Sequence, residues 1–101
     1  MQNASPDDIK LKVKELIIRT LNFKNTKPEE ILDNVSLFSG ENNIKIDSVD
    51  SLELVMEIQK EFKVKINNQN LAWTIINTVN SISDFIVKEH QNTPPPSALR
   101  H

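Results

Sequence analysis

The sequence lacks several residue types that common protein chemistries need. Its 101 residues include no cysteine, no tyrosine and a single glycine, Gly40. Without cysteine there can be no disulfide, no cysteine-based zinc site and no thiol nucleophile in the chain itself. One glycine is too few for a glycine-rich phosphate loop, and the tight turns of β-rich folds also favour glycine. The composition therefore favours a small all-α domain.

Charge and hydropathy narrow the range of partners. The 14 acidic and 12 basic residues leave a formal net charge of −2, which argues against strong nucleic-acid binding because that requires a clustered basic surface. No apolar run approaches the roughly 20 residues that a membrane-spanning helix needs. Residues 1–8 are polar and contain no apolar segment of the kind found in signal peptides. We therefore expect no membrane span, and we also expect the protein to be cytoplasmic and monomeric.

Apolar residues at helical spacing predict several helices. Pro6 suits the first position of one helix, Asp47 or Ser48 can cap another, and Thr78 can cap the last. Four consecutive amide residues at 67–70 indicate a turn before a short third helix. The predicted helices cover about residues 6–21, 47–62, 71–76 and 79–90.

A long connection, residues 22–47, separates the first two helices and includes one helical turn at 28–32. It contains too many apolar residues for a free linker, so we expect it to pack against the helices. These residues are Phe23, Ile31, Leu32, Val35, Leu37, Phe38, Ile44 and Ile46.

The expected fold is therefore an all-α four-helix bundle with three main helices, one short helix and a long loop. The domain is expected to cover residues 6–90. Residues 1–5 are predicted to be flexible, and residues 91–101, which include three consecutive prolines, to be a disordered tail.

The start of the second helix carries the most specific motif. From Ile46 to Met56 it reads Ile-Asp-Ser-Val-Asp-Ser-Leu-Glu-Leu-Val-Met, and Phe62 follows Ser48 by 14 residues. With its flanking pattern this segment resembles the attachment site of acyl carrier proteins, and the resemblance covers about residues 6–88. It implies a non-catalytic protein that carries acyl groups as thioesters on 4'-phosphopantetheine, a prosthetic group taken from coenzyme A and bound covalently to a serine.

Two serines could hold this group, because Asp47–Ser48 and Asp50–Ser51 are both Asp-Ser pairs. The family pattern places a glutamate five residues after the modified serine, and Glu53 has this spacing from Ser48. Ser51 is also expected inside the helix, where a modifying enzyme reaches a hydroxyl less easily. The first amides of a helix favour an anion, although serine is common at any helix start. The whole pattern predicts Ser48 as the attachment residue, with Asp47 beside it.

The resemblance also implies a docking surface for partner enzymes on the second helix. The implied partners are a phosphopantetheinyl transferase, which attaches the arm, and a ketoacyl synthase or other acyl-transfer enzymes of fatty-acid, polyketide or related specialised synthesis. A solvated helix face is the plain alternative for the charged residues. The docking positions carried over to this sequence are Val49, Asp50, Leu52, Glu53, Met56 and Glu57.

Some positions depart from the common family pattern. Gln59 and Lys60 stand where acids are usual, the third helix is rich in asparagine, and residues 39–43 lengthen the loop before the site. These departures favour a carrier dedicated to a specialised pathway.

Trp73 can either form the wall of an acyl pocket between the second and third helices or fill the core.

Two other functions stay open. A D-alanyl or aminoacyl carrier uses the same arm, although residues 44–47 lack the Gly-Gly-His/Asp stretch that peptidyl carriers place before the serine. A helical interaction module without a prosthetic group would leave Ser48 as a simple cap.

An enzyme is not expected, because the sequence offers no nucleophile–base pair. No metal site is expected either, since His90 and His101 are far apart.

Overall fold

The computed structural model describes residues 6–92, apart from the side chains of residues 6, 69, 91 and 92. This part of the chain contains helices and no strand. The elements are α1 (Pro6–Leu21), a short 3-10 helix (Pro28–Glu30), α2 (Ser48–Phe62), α3 (Gln69–Ile75) and α4 (Val79–Asn92). Of the predicted flexible ends, residues 1–5 and 93–101 lie outside the described residues.

The element order confirms the predicted all-α architecture. α1 and α2 have the expected bounds, and the 3-10 helix occupies the predicted turn of the long connection. α3 begins earlier than predicted, inside the amide-rich segment. The side chain of Asn68 causes this, because it accepts the amides of Asn70 at 2.8 Å and Leu71 at 3.2 Å and so caps the helix. α4 continues to Asn92, two residues past its predicted end.

A single hydrophobic core joins the helices. α1 packs against α4 and α2, and α3 packs against α4. Burying a large aliphatic side chain contributes about 1.5–3 kcal/mol each, so these contacts dominate the stability. None of the described helices is long and apolar enough to cross a bilayer. The most deeply buried side chains are Val13, Leu16, Ile17, Ile31, Leu37, Ile46, Leu54, Ile58, Ile76, Val79, Ile82 and Ile86.

The long connection packs on the bundle, as predicted. The amide of Leu37 donates to the carbonyl of Asn77 at 2.8 Å, and the amide of Ile46 donates to the carbonyl of Leu37 at 2.9 Å. The first bond ties the connection to the segment between α3 and α4, and the second joins two parts of the connection to each other. The prediction is wrong for Leu32, which is exposed because its neighbour Ile31 takes the inward position.

The side chain of Asn42 holds the middle of the connection together. Its Oδ1 accepts the amide of Leu32 at 2.8 Å, and its Nδ2 donates to the carbonyls of Leu32 at 2.9 Å and Val35 at 3.0 Å. Nearby, Gly40 has a φ of 82°, a left-handed conformation that glycine adopts without steric cost. The connection therefore reaches α2 in a fixed conformation, and this positions the start of that helix.

Candidate functional site

A capping box fixes the start of α2. The side chain of Asp47 accepts the amide of Asp50 at 2.9 Å, and Oδ2 of Asp50 accepts the amide of Asp47 at 3.2 Å. Asp47 has the extended backbone conformation typical of an N-cap residue. Both carboxylates are therefore engaged with the backbone, and the helix begins at Ser48.

Ser48 is the first residue of α2, and its side chain is exposed. Hydrogen bonding within the helix starts with the amide of Ser51, which donates to the carbonyl of Asp47 at 2.9 Å. Because Asp47 also caps the amide of Asp50, the amides of Ser48 and Val49 are left without a helical partner. Free amides at the positive end of the helix dipole stabilise an anion. The Ser48 hydroxyl is therefore well placed to carry a negatively charged group.

Ser51 lies one helical turn further on, in different surroundings. Its side chain is 4% exposed, and its Oγ donates to the carbonyl of Ser48 at 2.7 Å. An enzyme that modified Ser51 would have to break this hydrogen bond and draw the side chain out of the protein. The two serines thus differ in accessibility in the way that their positions in the sequence predict.

A cleft opens beside Ser48 between α2 and α3, which is where one of the two alternatives for Trp73 placed an acyl pocket. Its volume is about 160 Å³, and its walls are mainly apolar. Ser48 is one of its lining residues, so a group attached to Ser48 has apolar surface within reach. The lining residues are Ser48, Ser51, Leu52, Val55, Ala72, Trp73 and Ile76.

Trp73 forms part of the cleft wall and does not fill the core. Its side chain is 49% exposed. Its ring lies 5.6 Å from the ring of Phe38, centroid to centroid, with an angle of 47° between the planes, which is a favourable arrangement for an aromatic pair. This contact joins α3 to the long connection.

The outer face of α2 presents an apolar stripe to solvent. Val49, Leu52 and Met56 are 65%, 61% and 64% exposed, and their spacing of three and four residues places them on one side of the helix. Glu57 forms an ion pair with Lys60 at 3.5 Å. Among the acids predicted to dock partners, exposed Glu53 is the one without a hydrogen bond or ion pair to the described chain. Exposed apolar surface of this kind is typical of a contact site.

Two features of the site were not predicted. The spacing of Asp47 and Asp50 resembles that of a capping box, so their mutual bonding had a signal in the sequence. No signal in the sequence indicated the contact of Phe38 with Trp73, because only the tertiary fold brings these two residues together.

Among the described residues, the one histidine lies away from this site. His90 Nε2 lies 2.8 Å from the carbonyl of Phe62, at the far end of α2, and His101 lies outside the described residues. Within residues 6–92 no group of three histidine or acidic side chains is arranged to hold a metal ion.

Comparisons with known proteins point to one family. The family model described as "Phosphopantetheine attachment site" matches residues 12–86. The acyl carrier protein of Buchnera aphidicola subsp. Schizaphis graminum is 32% identical over 80 residues, which cover 79% of this chain and 91% of that protein. The acyl carrier protein of Buchnera aphidicola subsp. Acyrthosiphon pisum is 30% identical over 83 residues, which cover 82% and 94%. The matched region includes α2 and both sides of the cleft.

Proposed function

The chain belongs to the acyl carrier protein family, and we propose that Ser48 is the residue to which its 4'-phosphopantetheine arm is attached. Proteins of this family are carriers and not catalysts. The observation that best supports Ser48 is its exposed hydroxyl at the first position of α2, in contrast to the buried and hydrogen-bonded hydroxyl of Ser51.

The residues around Ser48 fit a group joined through a phosphodiester. The free amides of Ser48 and Val49 stabilise its negative charge. Asp47 and Asp50 carry charge of the same sign, but each of their carboxylates accepts a backbone amide of the capping box. When attached, the arm supplies the terminal thiol that this cysteine-free chain lacks, and that thiol holds the acyl group as a thioester.

We further propose that the carrier delivers its acyl group to enzymes of fatty-acid, polyketide or related specialised synthesis, such as a ketoacyl synthase. The relatives are acyl carrier proteins, and this likeness supports acyl cargo over an aminoacyl one. Gln59 and Lys60, which replace usual acids on α2, support a dedicated carrier. The cytoplasmic location and the monomeric state stay predictions from the sequence.

The outer face of α2 is the proposed docking surface for these enzymes. Its apolar stripe supplies contact area, and Glu53 supplies a free negative charge for a basic partner. Complementary charge mainly raises the rate of encounter and selects the partner. Asp50 and Glu57 add negative potential while they keep their own intramolecular partners.

Loading with coenzyme A and a broad-specificity phosphopantetheinyl transferase tests the attachment residue. Intact mass is measured before and after the reaction for wild type, Ser48→Ala and Ser51→Ala. We expect wild type and Ser51→Ala to gain the mass of one phosphopantetheine and Ser48→Ala to gain none. Ser48→Ala should stay folded, because Asp47 and not Ser48 caps the helix, and its circular dichroism and thermal unfolding serve as the control.

A folded Ser48→Ala protein that still gains the arm would contradict the assignment and point to Ser51. A wild-type protein that neither gains the arm nor carries one beforehand would favour a helical interaction module. An aminoacyl carrier would load in the same way, and the cargo that partner enzymes accept would identify it.

A further inference from the structure

The cleft contains a half-exposed tryptophan, Trp73, whose exposure neither the attachment site nor the packing of the core explains. Trp73 is 49% exposed although indole is a large apolar group whose burial would stabilise the fold. It lines the same cleft as Ser48 and Leu52, so it stands beside the hydroxyl that enzymes have to reach. Exposed tryptophan is strongly enriched among the residues that dominate protein–protein binding energy.

Trp73 continues an apolar surface that starts on α2. Val49, Leu52 and Met56 form the exposed stripe of that helix, and Leu52 shares the cleft lining with Trp73. We name Val49, Leu52, Met56 and Trp73 the docking face. Ser48 lines the same cleft as Leu52 and Trp73, so an enzyme seated on the docking face has access to the attachment residue.

The charge of the docking face differs between its two sides. The α2 side carries Asp50, Glu53 and Glu57, whereas the α3 side belongs to a stretch with no charged residue between Lys65 and Asp84. A complementary partner is therefore basic opposite α2 and apolar and uncharged opposite α3. The acidic α2 side would raise the rate at which such a partner encounters the carrier, and the apolar α3 side would contribute binding energy.

Trp73 is also held in place before any partner arrives. Its ring packs at 5.6 Å against the ring of Phe38. The backbone of Phe38 is itself fixed, since its amide donates to Oγ of Ser36 at 3.2 Å. A side chain that is already ordered loses less conformational freedom on binding, and this favours affinity.

We propose that Trp73 is an apolar anchor for the phosphopantetheinyl transferase that acts at Ser48. The partner's matching surface is a neutral apolar pocket for the indole, next to a basic patch that faces Glu53. This inference rests on the proposed function and deepens it, because it names the surface chemistry of the partner.

The test is the steady-state loading of the apo protein by a phosphopantetheinyl transferase at saturating coenzyme A, with the carrier concentration varied. Because the apo protein bears no acyl chain, any effect of a variant reports on docking and not on cargo in the cleft. We expect Trp73→Ala to raise the KM for the carrier about thirtyfold, which is the threshold effect of a hot-spot residue, with kcat largely unchanged. Trp73→Phe should restore most of the loss.

Ionic strength distinguishes the contributions that the two sides of the docking face make to the KM. Raising the ionic strength from about 0.1 M to about 1 M shortens the Debye length from about 10 Å to about 3 Å. The KM increase of Glu53→Gln, taken relative to wild type, should disappear at high salt, whereas that of Trp73→Ala should persist. Leu11→Ala is the matched control, because Leu11 is 48% exposed on α1, away from the docking face, and its KM should equal that of wild type.

The possible outcomes distinguish the proposed carrier function from the proposed anchor role of Trp73. If wild type is not loaded at all, the proposed function fails. If wild type is loaded and a folded Trp73→Ala protein keeps the wild-type KM, the anchor is disproved while the carrier function stands. Circular dichroism verifies the fold, and if Trp73→Ala loses helix content, Trp73→Gln takes its place with the same expected KM increase. An increase shared by Leu11→Ala, or one abolished by salt in Trp73→Ala, would also overturn the anchor.

Discussion

Two asparagines of the long connection have opposite surroundings, although both look like ordinary loop residues in the sequence. Asn42 is buried and bonds to the backbone of Leu32, Val35 and Asn43, while Asn34 is exposed. The bonds of Asn42 to Leu32 and Val35 reach residues ten and seven positions earlier. No local pattern predicts bonds over that distance, so the sequence did not distinguish these two residues.

Asn42→Ala should therefore destabilise the protein strongly. The substitution removes the partner of several part-buried backbone groups, and an unsatisfied buried group costs about 1–3 kcal/mol. We expect the free energy of unfolding, measured by chemical denaturation, to fall by about 2 kcal/mol or more. Asn34→Ala, the matched control, should change it by less than about 0.5 kcal/mol. Equal losses in the two variants would show that the bonds of Asn42 contribute little.

Trp73 illustrates a second limit of the sequence at the residue scale. An aromatic residue at helical spacing is typical of a core, and the sequence could not choose between core and cleft wall. α3 covers only Gln69–Ile75. Ile75 and Ile76, which follow Trp73 closely in the sequence, take the buried positions. Trp73 is therefore left at the rim of the cleft, beside Phe38.

At the scale of elements, the sequence was most informative where capping residues mark helix ends. Pro6 predicted the start of α1 and the pair Asp47–Ser48 that of α2, and both starts are confirmed. The start of α3 was predicted too late, because consecutive amides are typical both of turns and of caps, and Asn68 acts as a cap. The helical turn predicted at residues 28–32 is a 3-10 helix at Pro28–Glu30, and acids follow Pro28 in its first turn.

The capping box of α2 leads to a prediction for Asp47. Asp47→Ala removes the acceptor for the amide of Asp50 and should lower the free energy of unfolding by about 1 kcal/mol. Asp47→Asn keeps an equivalent acceptor and should stay within a few tenths of a kcal/mol of wild type. Thermal or urea unfolding of both variants measures this difference. A loss of similar size in Asp47→Asn would mean that the charge of Asp47, rather than its capping bond, stabilises the helix.

At the scale of the whole molecule, α2 divides its apolar residues between two roles. Leu54 is fully buried in the core shared by α1, α2 and α4, while Leu52, two residues earlier, is 61% exposed on the docking face. Apolar composition alone did not reveal this division. Which side of α2 faces inward depends on how α1 and the long connection pack against it.

The two leucines provide a matched pair for separating stability from docking. Leu54→Ala should lower the free energy of unfolding by about 2–5 kcal/mol, because it leaves a cavity in the core. Leu52→Ala should change stability by less than about 0.5 kcal/mol and instead raise the KM for loading by the transferase. Urea unfolding and loading kinetics on both variants measure the two effects. A large stability loss in Leu52→Ala, with normal loading, would contradict the assignment of Leu52 to the docking face.

The most direct measurement is the position of the arm on the loaded wild-type protein. Trypsin cuts after Lys45 and Lys60, so a single peptide, residues 46–60, contains both candidate serines. Fragment ions that break the backbone between Ser48 and Ser51 assign the added mass to one of them. We predict that the phosphopantetheine lies entirely on Ser48. Finding it on Ser51, or finding an unmodified peptide after exhaustive loading of the folded protein, would contradict the assignment.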